Sequence, residues 1–161
     1  MSRRRSFSEP QLADYGRLLQ PDEAQEPILG GAVRSALTEW LTEIWATDEL
    51  LEVGLKPRMR ALFSGPPGGG KTTLAHHLAA RLGLPMLAVR SEEVIDCWVG
   101  ATEQNIGALF DCAATEGPVI LFFDEVDTLA SKRYGARQSA DSARNAMVNT
   151  MLQRVEQHEG I

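Results

Sequence analysis

Apolar residues change their spacing several times along the chain, and each change predicts an element. Between Ala32 and Trp45, the residues Val33, Leu37, Trp40, Leu41, Ile44 and Trp45 recur at helical spacing. They form one stripe, which predicts a helix with Trp40 and Trp45 in a core. Gly54 and Pro57 mark the following turn. Arg60–Ser64 (RALFS) then reads as a short strand, followed by a helix with Leu74, Leu78 and Leu82 at steps of four and Gly83 as its stop. Pro85 opens a second strand, Met86–Arg90. A helix from about Thr102 carries Ile106, Leu109, Phe110 and Ala113 on one face. Gly117 and Pro118 introduce Val119–Phe123 (VILFF), a continuous apolar run suited to a parallel strand covered on both faces. A last helix carries Ala143, Met147, Met151 and Val155, with Val148 and Leu152 alongside. By contrast, residues 1–27 are polar and punctuated by Pro10, Pro21 and Pro27. They read as a flexible arm with room for a short helix around Gln11–Leu19. Strands alternating with helices predict an α/β fold.

Composition narrows the functional classes. The 161 residues carry a formal charge of −6, and the body is more acidic still once Arg3, Arg4 and Arg5 are set aside. An acidic body speaks against a general nucleic-acid binder, which would show a basic face. No apolar run approaches the roughly 20 residues of a membrane-spanning helix. The terminal arginines have no apolar stretch behind them, so they do not form a secretory signal. Cys97 and Cys112 lack metal or redox spacing, which predicts a reduced, cytoplasmic setting. His76, His77 and His158 form no ligand pattern.

The chemistry concentrates between the first predicted strand and its helix. Gly65-Pro66-Pro67-Gly68-Gly69-Gly70-Lys71-Thr72-Thr73 fits the phosphate-binding pattern G-x-x-x-x-G-K-[ST]. Such a loop wraps its backbone around phosphate oxygens, and side chains at Gly68, Gly69 and Gly70 would block that approach. The following helix aims its N-terminal N–H groups at the same anion. Lys71 would neutralise the β- and γ-phosphates, and the Thr72 hydroxyl would coordinate Mg²⁺. Asp124 and Glu125 end the apolar strand, at the carboxyl edge where α/β sheets bind ligands. Asp124 suits the metal opposite Thr72, and Glu125 suits orientation of an attacking water. Asp127 fits a helix N-terminus equally well. For Trp98, beside Val99 and Gly100 in a loop, physics alone favours burial.

The segments GPPGGGKTT, CWVGATE, VILFFDEVDTLASKR and VNTMLQRVEQHEG together resemble an AAA+ ATPase, most closely the clade of the katanin, spastin and membrane-protease motors. The resemblance covers roughly residues 28–161. It implies a P-loop NTPase with a doubly wound parallel sheet flanked by helices, ATP and Mg²⁺ as ligands, and a homo-oligomeric, usually hexameric, ring that remodels or threads a protein. Under it, Trp98, Val99 and Gly100 resemble the pore loop that grips a polypeptide, which reverses the burial reading. Lys132–Ala140 is similar in place to the second pore loop, and Leu29 and Gly30 fall near the adenine. The family's fourth strand would begin just after Gly160, and its fifth strand, arginine fingers and helical lid come later. The expectation is therefore residues 1–27 as an arm and 28–161 as a partial ATPase core, inactive alone and hydrolytic in the complete protein. A nucleotide-switched loading module and a non-hydrolysing remnant are the competing readings.

Overall fold

The computed structural model describes residues 11–89, 102–124, 149–158 and 160–161, with side chains from 106 onward in the helix that begins at Thr102. A three-stranded sheet organises it, in the order β1 (Gly16–Leu19), β2 (Met86–Val89), β3 (Ile120–Phe123). β2 and β3 run parallel, with Met86 opposite Ile120 and Val89 opposite Phe123. β1 runs antiparallel to β2, with Gly16 opposite Val89 and Leu19 opposite Met86. The helices are α1 (Gly31–Trp45), α2 (Thr47–Glu52), α3 (Lys71–Leu82), α4 (Thr102–Glu116) and final turns over 149–157.

Strand alternation divides the core in two. Met86 and Ile120 face Leu37 and Leu41 of α1 and Ala75, Leu78 and Ala79 of α3. Leu87, Val89 and Val119 face Ile106, Leu109, Phe110 and Ala113 of α4, with Met151 of the final helix. Helices therefore cover both faces, which explains the unbroken apolar run before Asp124. Gly83 acts as the stop expected of it, and Gly54, expected to mark a turn, also ends a helix. Each has positive φ, and each ends its helix with the paired bonds of a Schellman cap: Leu84 N–H to Ala79 O and Gly83 N–H to Ala80 O, both 3.0 Å, in α3.

Three expectations change. First, Leu12–Asp14 is a 3₁₀ turn and Gly16–Leu19 a sheet strand, so Gln11–Leu19 is neither a helix nor part of a loose arm. Leu12 and Leu19 are buried, and a Cβ on Gly16 would lie 2.3 Å from the Ala88 carbonyl oxygen, so only glycine allows this approach. Second, Arg60–Ser64 joins no ladder among the described residues. Extended backbone becomes strand only when paired. The free edge of β3 instead gives its Leu121 N–H to the Ile161 carbonyl at 2.9 Å. Third, the apolar stripe of α1 is wider than its contact. Leu37 and Leu41 are buried, whereas Val33 is 47% and Trp45 54% exposed. The Trp45 ring lies under the Arg81 guanidinium, 5.8 Å from its centroid. Trp40 is partly buried and donates its indole N–H to the Arg58 carbonyl.

Candidate functional site

The loop from Gly65 to Gly70 turns back on itself before α3 begins. Gly68 and Gly70 hold φ of 73° and 77°, values that L side chains rarely adopt. The Gly69 N–H donates to the Pro66 carbonyl at 3.1 Å, and a Cβ on Gly69 would meet that oxygen at 3.0 Å. The first helical bond runs from the Leu74 N–H to the Gly70 carbonyl at 2.8 Å. The N–H groups of Lys71, Thr72 and Thr73 thus belong to the first turn, where a helix has no acceptor of its own to offer. They and the helix dipole make this end of α3 suited to an anion.

The side chains complete the arrangement. The Lys71 ammonium donates to the Gly65 and Pro66 carbonyls, 3.0 Å each, and so lies back over the loop. The Thr72 hydroxyl donates to Asp124 Oδ2 at 3.2 Å. This is the contact that joins the loop to the end of β3. A hydroxyl and a carboxylate side by side are the hard oxygen donors that suit Mg²⁺, which takes few protein ligands and completes its shell with water and phosphate oxygens. Among the described residues no group of three or more His, Cys, Asp or Glu side chains could enclose a metal. A site shared with a bound phosphate is the arrangement these residues fit.

Two clamps hold the segment leading into the loop. Arg58 donates its backbone N–H to Glu43 Oε1 and its Nε to Glu43 Oε2, both 2.6 Å, and its Nη2 to Glu39 Oε1 at 3.0 Å. The backbone N–H and then the guanidinium hold the Glu43 carboxyl below the usual range. Arg60 reaches the final helix, where its guanidinium donates to the carbonyls of Val155 (2.5 Å), Glu156 (2.8 Å) and His158 (2.7 Å). A cation at a helix C-terminus satisfies carbonyls that the helix leaves open. Phe63 packs near Phe122 of β3, ring centroids 6.5 Å apart. Burial first, and then the Arg60 charge, press the His158 imidazole below its ordinary value. Sequence reasoning passed over both arginines, since nothing in a linear pattern signals a partner so distant along the chain.

His76 belongs to no ligand pattern in the sequence, yet the structure gives it a partner. It lies on α3 one turn beyond Thr72, is 9% exposed, and its Nε2 meets the Gln20 carbonyl at 2.7 Å. A histidine between Ala75 and Leu78 on a buried helix face was a readable signal.

The residues expected at the site divide cleanly. Gly65 to Thr73 and Asp124 lie together. Glu125, Asp127, the Trp98-Val99-Gly100 segment and Lys132–Ala140 lie outside the described residues. Among the described residues no helix is long and apolar enough to cross a membrane.

Residues 61–160 match the family described as ATPase family associated with various cellular activities (AAA). An uncharacterized AAA family ATPase, y4kL, from Sinorhizobium fredii is 37% identical over 141 residues, which is 87% of this chain and 42% of that protein. The peroxisomal ATPase PEX6 of Neurospora crassa is 34% identical over 122 residues, 76% of this chain and 9% of that protein. The chain thus spans less than half the length of either relative.

Proposed function

Because the chain belongs to the AAA family of ATPases, we propose that it binds ATP between the loop Gly65–Thr73 and the end of β3, and that the complete protein hydrolyses it to remodel or thread a polypeptide. The observation that carries this reading is the 3.2 Å bond between Thr72 and Asp124, which brings the start of α3 and the end of β3 into contact.

In this reading the backbone N–H groups of Gly68 and of Gly70 to Thr73 bind the phosphates, and Lys71 leaves the Gly65 and Pro66 carbonyls to take the β- and γ-phosphate oxygens. Thr72 and Asp124 would hold Mg²⁺, which supplies charge neutralisation across the phosphates when bound. Glu125, one residue beyond Asp124, orients and polarises the attacking water. Trp98, Val99 and Gly100 grip the polypeptide, and the nucleotide sits at the interface of a homo-oligomeric, hexameric ring in the cytoplasm. A doubly wound arrangement around the parallel pair β2 and β3 belongs to the same proposal, although β1 joins that pair antiparallel and makes the described sheet mixed. So does an ATPase core from residue 28 onward, to which β1 of the N-terminal segment is paired.

The test is a pair of measurements on the complete protein carrying Glu125→Gln. Fluorescent-nucleotide binding is retained and phosphate release is lost. Unchanged phosphate release would remove Glu125 from its role. Photo-crosslinking from position 98 labels an unfolded polypeptide and not DNA; the reverse result would favour a loading module.

A further inference from the structure

We infer that His76 is a positioning residue for the phosphate loop, and that residues 11–24 form part of the nucleotide site's support through it. This rests on the reading of Gly65–Thr73 as an ATP site. α3 begins at Lys71, so a displacement of this helix displaces the Thr72 hydroxyl and the first-turn N–H groups with it. His76, one turn further along, is buried, as are Ala75, Leu78 and Ala79 of the same helix. Its Nε2 lies 2.7 Å from the Gln20 carbonyl oxygen. An oxygen acceptor fixes the roles: Nε2 carries the proton and donates. A buried donor with its acceptor withdrawn is costly, so the bond couples the helix to the chain segment that supplies the oxygen.

That segment is itself anchored on both sides of Gln20. Ahead of it, β1 is paired along β2, with Leu19 buried opposite Met86, and the Leu12 N–H donates to Glu116 Oε1 at 3.0 Å. Behind it, Pro21–Glu23 forms a 3₁₀ turn in which the Gln20 N–H donates to Glu23 Oε2 at 3.3 Å. The Gln20 carbonyl is therefore presented from a fixed backbone. It sets one end of the bond, and α3 answers at the other. Whatever loosens residues 11–24 loosens the first turn of α3, and nucleotide binding, by tightening that turn, steadies β1 in return.

The experiment uses the full chain with His76→Phe, which keeps a ring of similar size and removes the donor. His76→Gln is its partner, because its amide nitrogen can reach the same oxygen. A fluorescent ATP analogue reports affinity, and amide exchange over Gly16–Gln20 is read with and without nucleotide. For the wild type, nucleotide slows exchange in this segment. His76→Phe weakens affinity about fivefold, the loss expected for one buried hydrogen bond, and abolishes the nucleotide-dependent slowing. His76→Gln restores both. A merely structural histidine would alter exchange equally with and without nucleotide, and that result overturns the inference. Wild-type exchange indifferent to bound nucleotide overturns it without any variant, even if His76→Phe fails to fold. A wild-type complete protein that binds no nucleotide overturns the ATP reading and this inference together. Equal affinity in wild type and a folded His76→Phe overturns this inference alone.

Discussion

Replacing Lys71 with methionine separates a residue that holds the fold from one that holds a ligand. The Lys71 ammonium donates to two carbonyls, Gly65 and Pro66, both on an exposed loop. Water replaces such bonds readily, so Lys71→Met changes stability without nucleotide by no more than about 1 kcal/mol. In the proposed ATP site the same ammonium meets phosphate oxygens, and a charge-assisted bond there is worth about 2 kcal/mol, a loss of roughly 30-fold in affinity. Thermal denaturation with and without ATP and Mg²⁺ reads both effects. At a nucleotide concentration of about 100 times the wild-type Kd, binding stabilises the wild type by about 2.7 kcal/mol. For a chain of this length that raises Tm by roughly 5–11 °C. The variant, at about three times its own weakened Kd, gains about 0.9 kcal/mol, or roughly 2–4 °C. Two results refute the reasoning: an equal nucleotide shift in both proteins, or a large fall in the variant's Tm before nucleotide is added.

Other expectations follow from the packing. Gly16→Ala drives a Cβ to within 2.3 Å of the Ala88 carbonyl. It costs about 1–3 kcal/mol in urea denaturation and speeds amide exchange in β1; an unchanged midpoint argues against this pairing. The His158 imidazole is held below its ordinary value, so the native state takes up its proton less readily than the unfolded chain does. Stability therefore falls as pH drops from about 6.5 towards the lowered native value, and His158→Phe flattens that slope. A slope unaltered in the variant would show that the titration lies elsewhere. The Cys112 thiol, pushed up to about 11 by burial and by Glu116, resists iodoacetamide at pH 8 in the native protein and reacts on unfolding. Fast native alkylation of Cys112 would contradict its burial.

The parts legible in the sequence are those in which local pattern and tertiary demand agree. Glycines at 68, 70 and 83 are required by backbone angles that few other residues accept, and periodicity through α3 and α4 matches a buried face. Val119–Phe123 is apolar without interruption because both faces of β3 are covered. Less legible were the features decided by distant partners. β1 is short and flanked by prolines and charges, and it is a strand only because β2 lies beside it. Arg60–Ser64 has a strand's composition and no ladder among the described residues, because hydrogen-bond pairing cannot be read from one segment. Trp45 fits the helical stripe yet stays half exposed, with the Arg81 side chain of α3 lying over its ring. The loop and Asp124 could be read together since their spacing is a recurrent pattern, whereas the Arg58, Arg60 and His76 bonds belong to this chain's own packing.

The antiparallel pairing of β1 with β2 also constrains the order of folding. Gly16 leaves the ribosome early, but its partner Val89 follows only after α1, the phosphate loop and α3. Closing so long a loop is entropically slow, and contacts of this separation in sequence delay the transition state. During synthesis α3 can form and collapse against α1 while the Gln20 carbonyl is still remote from His76. The first turn of α3 thus exists for a time before His76 meets Gln20. Synonymous codon changes that slow translation between α3 and β2 would lengthen that interval and expose the apolar side of α3 to chaperones.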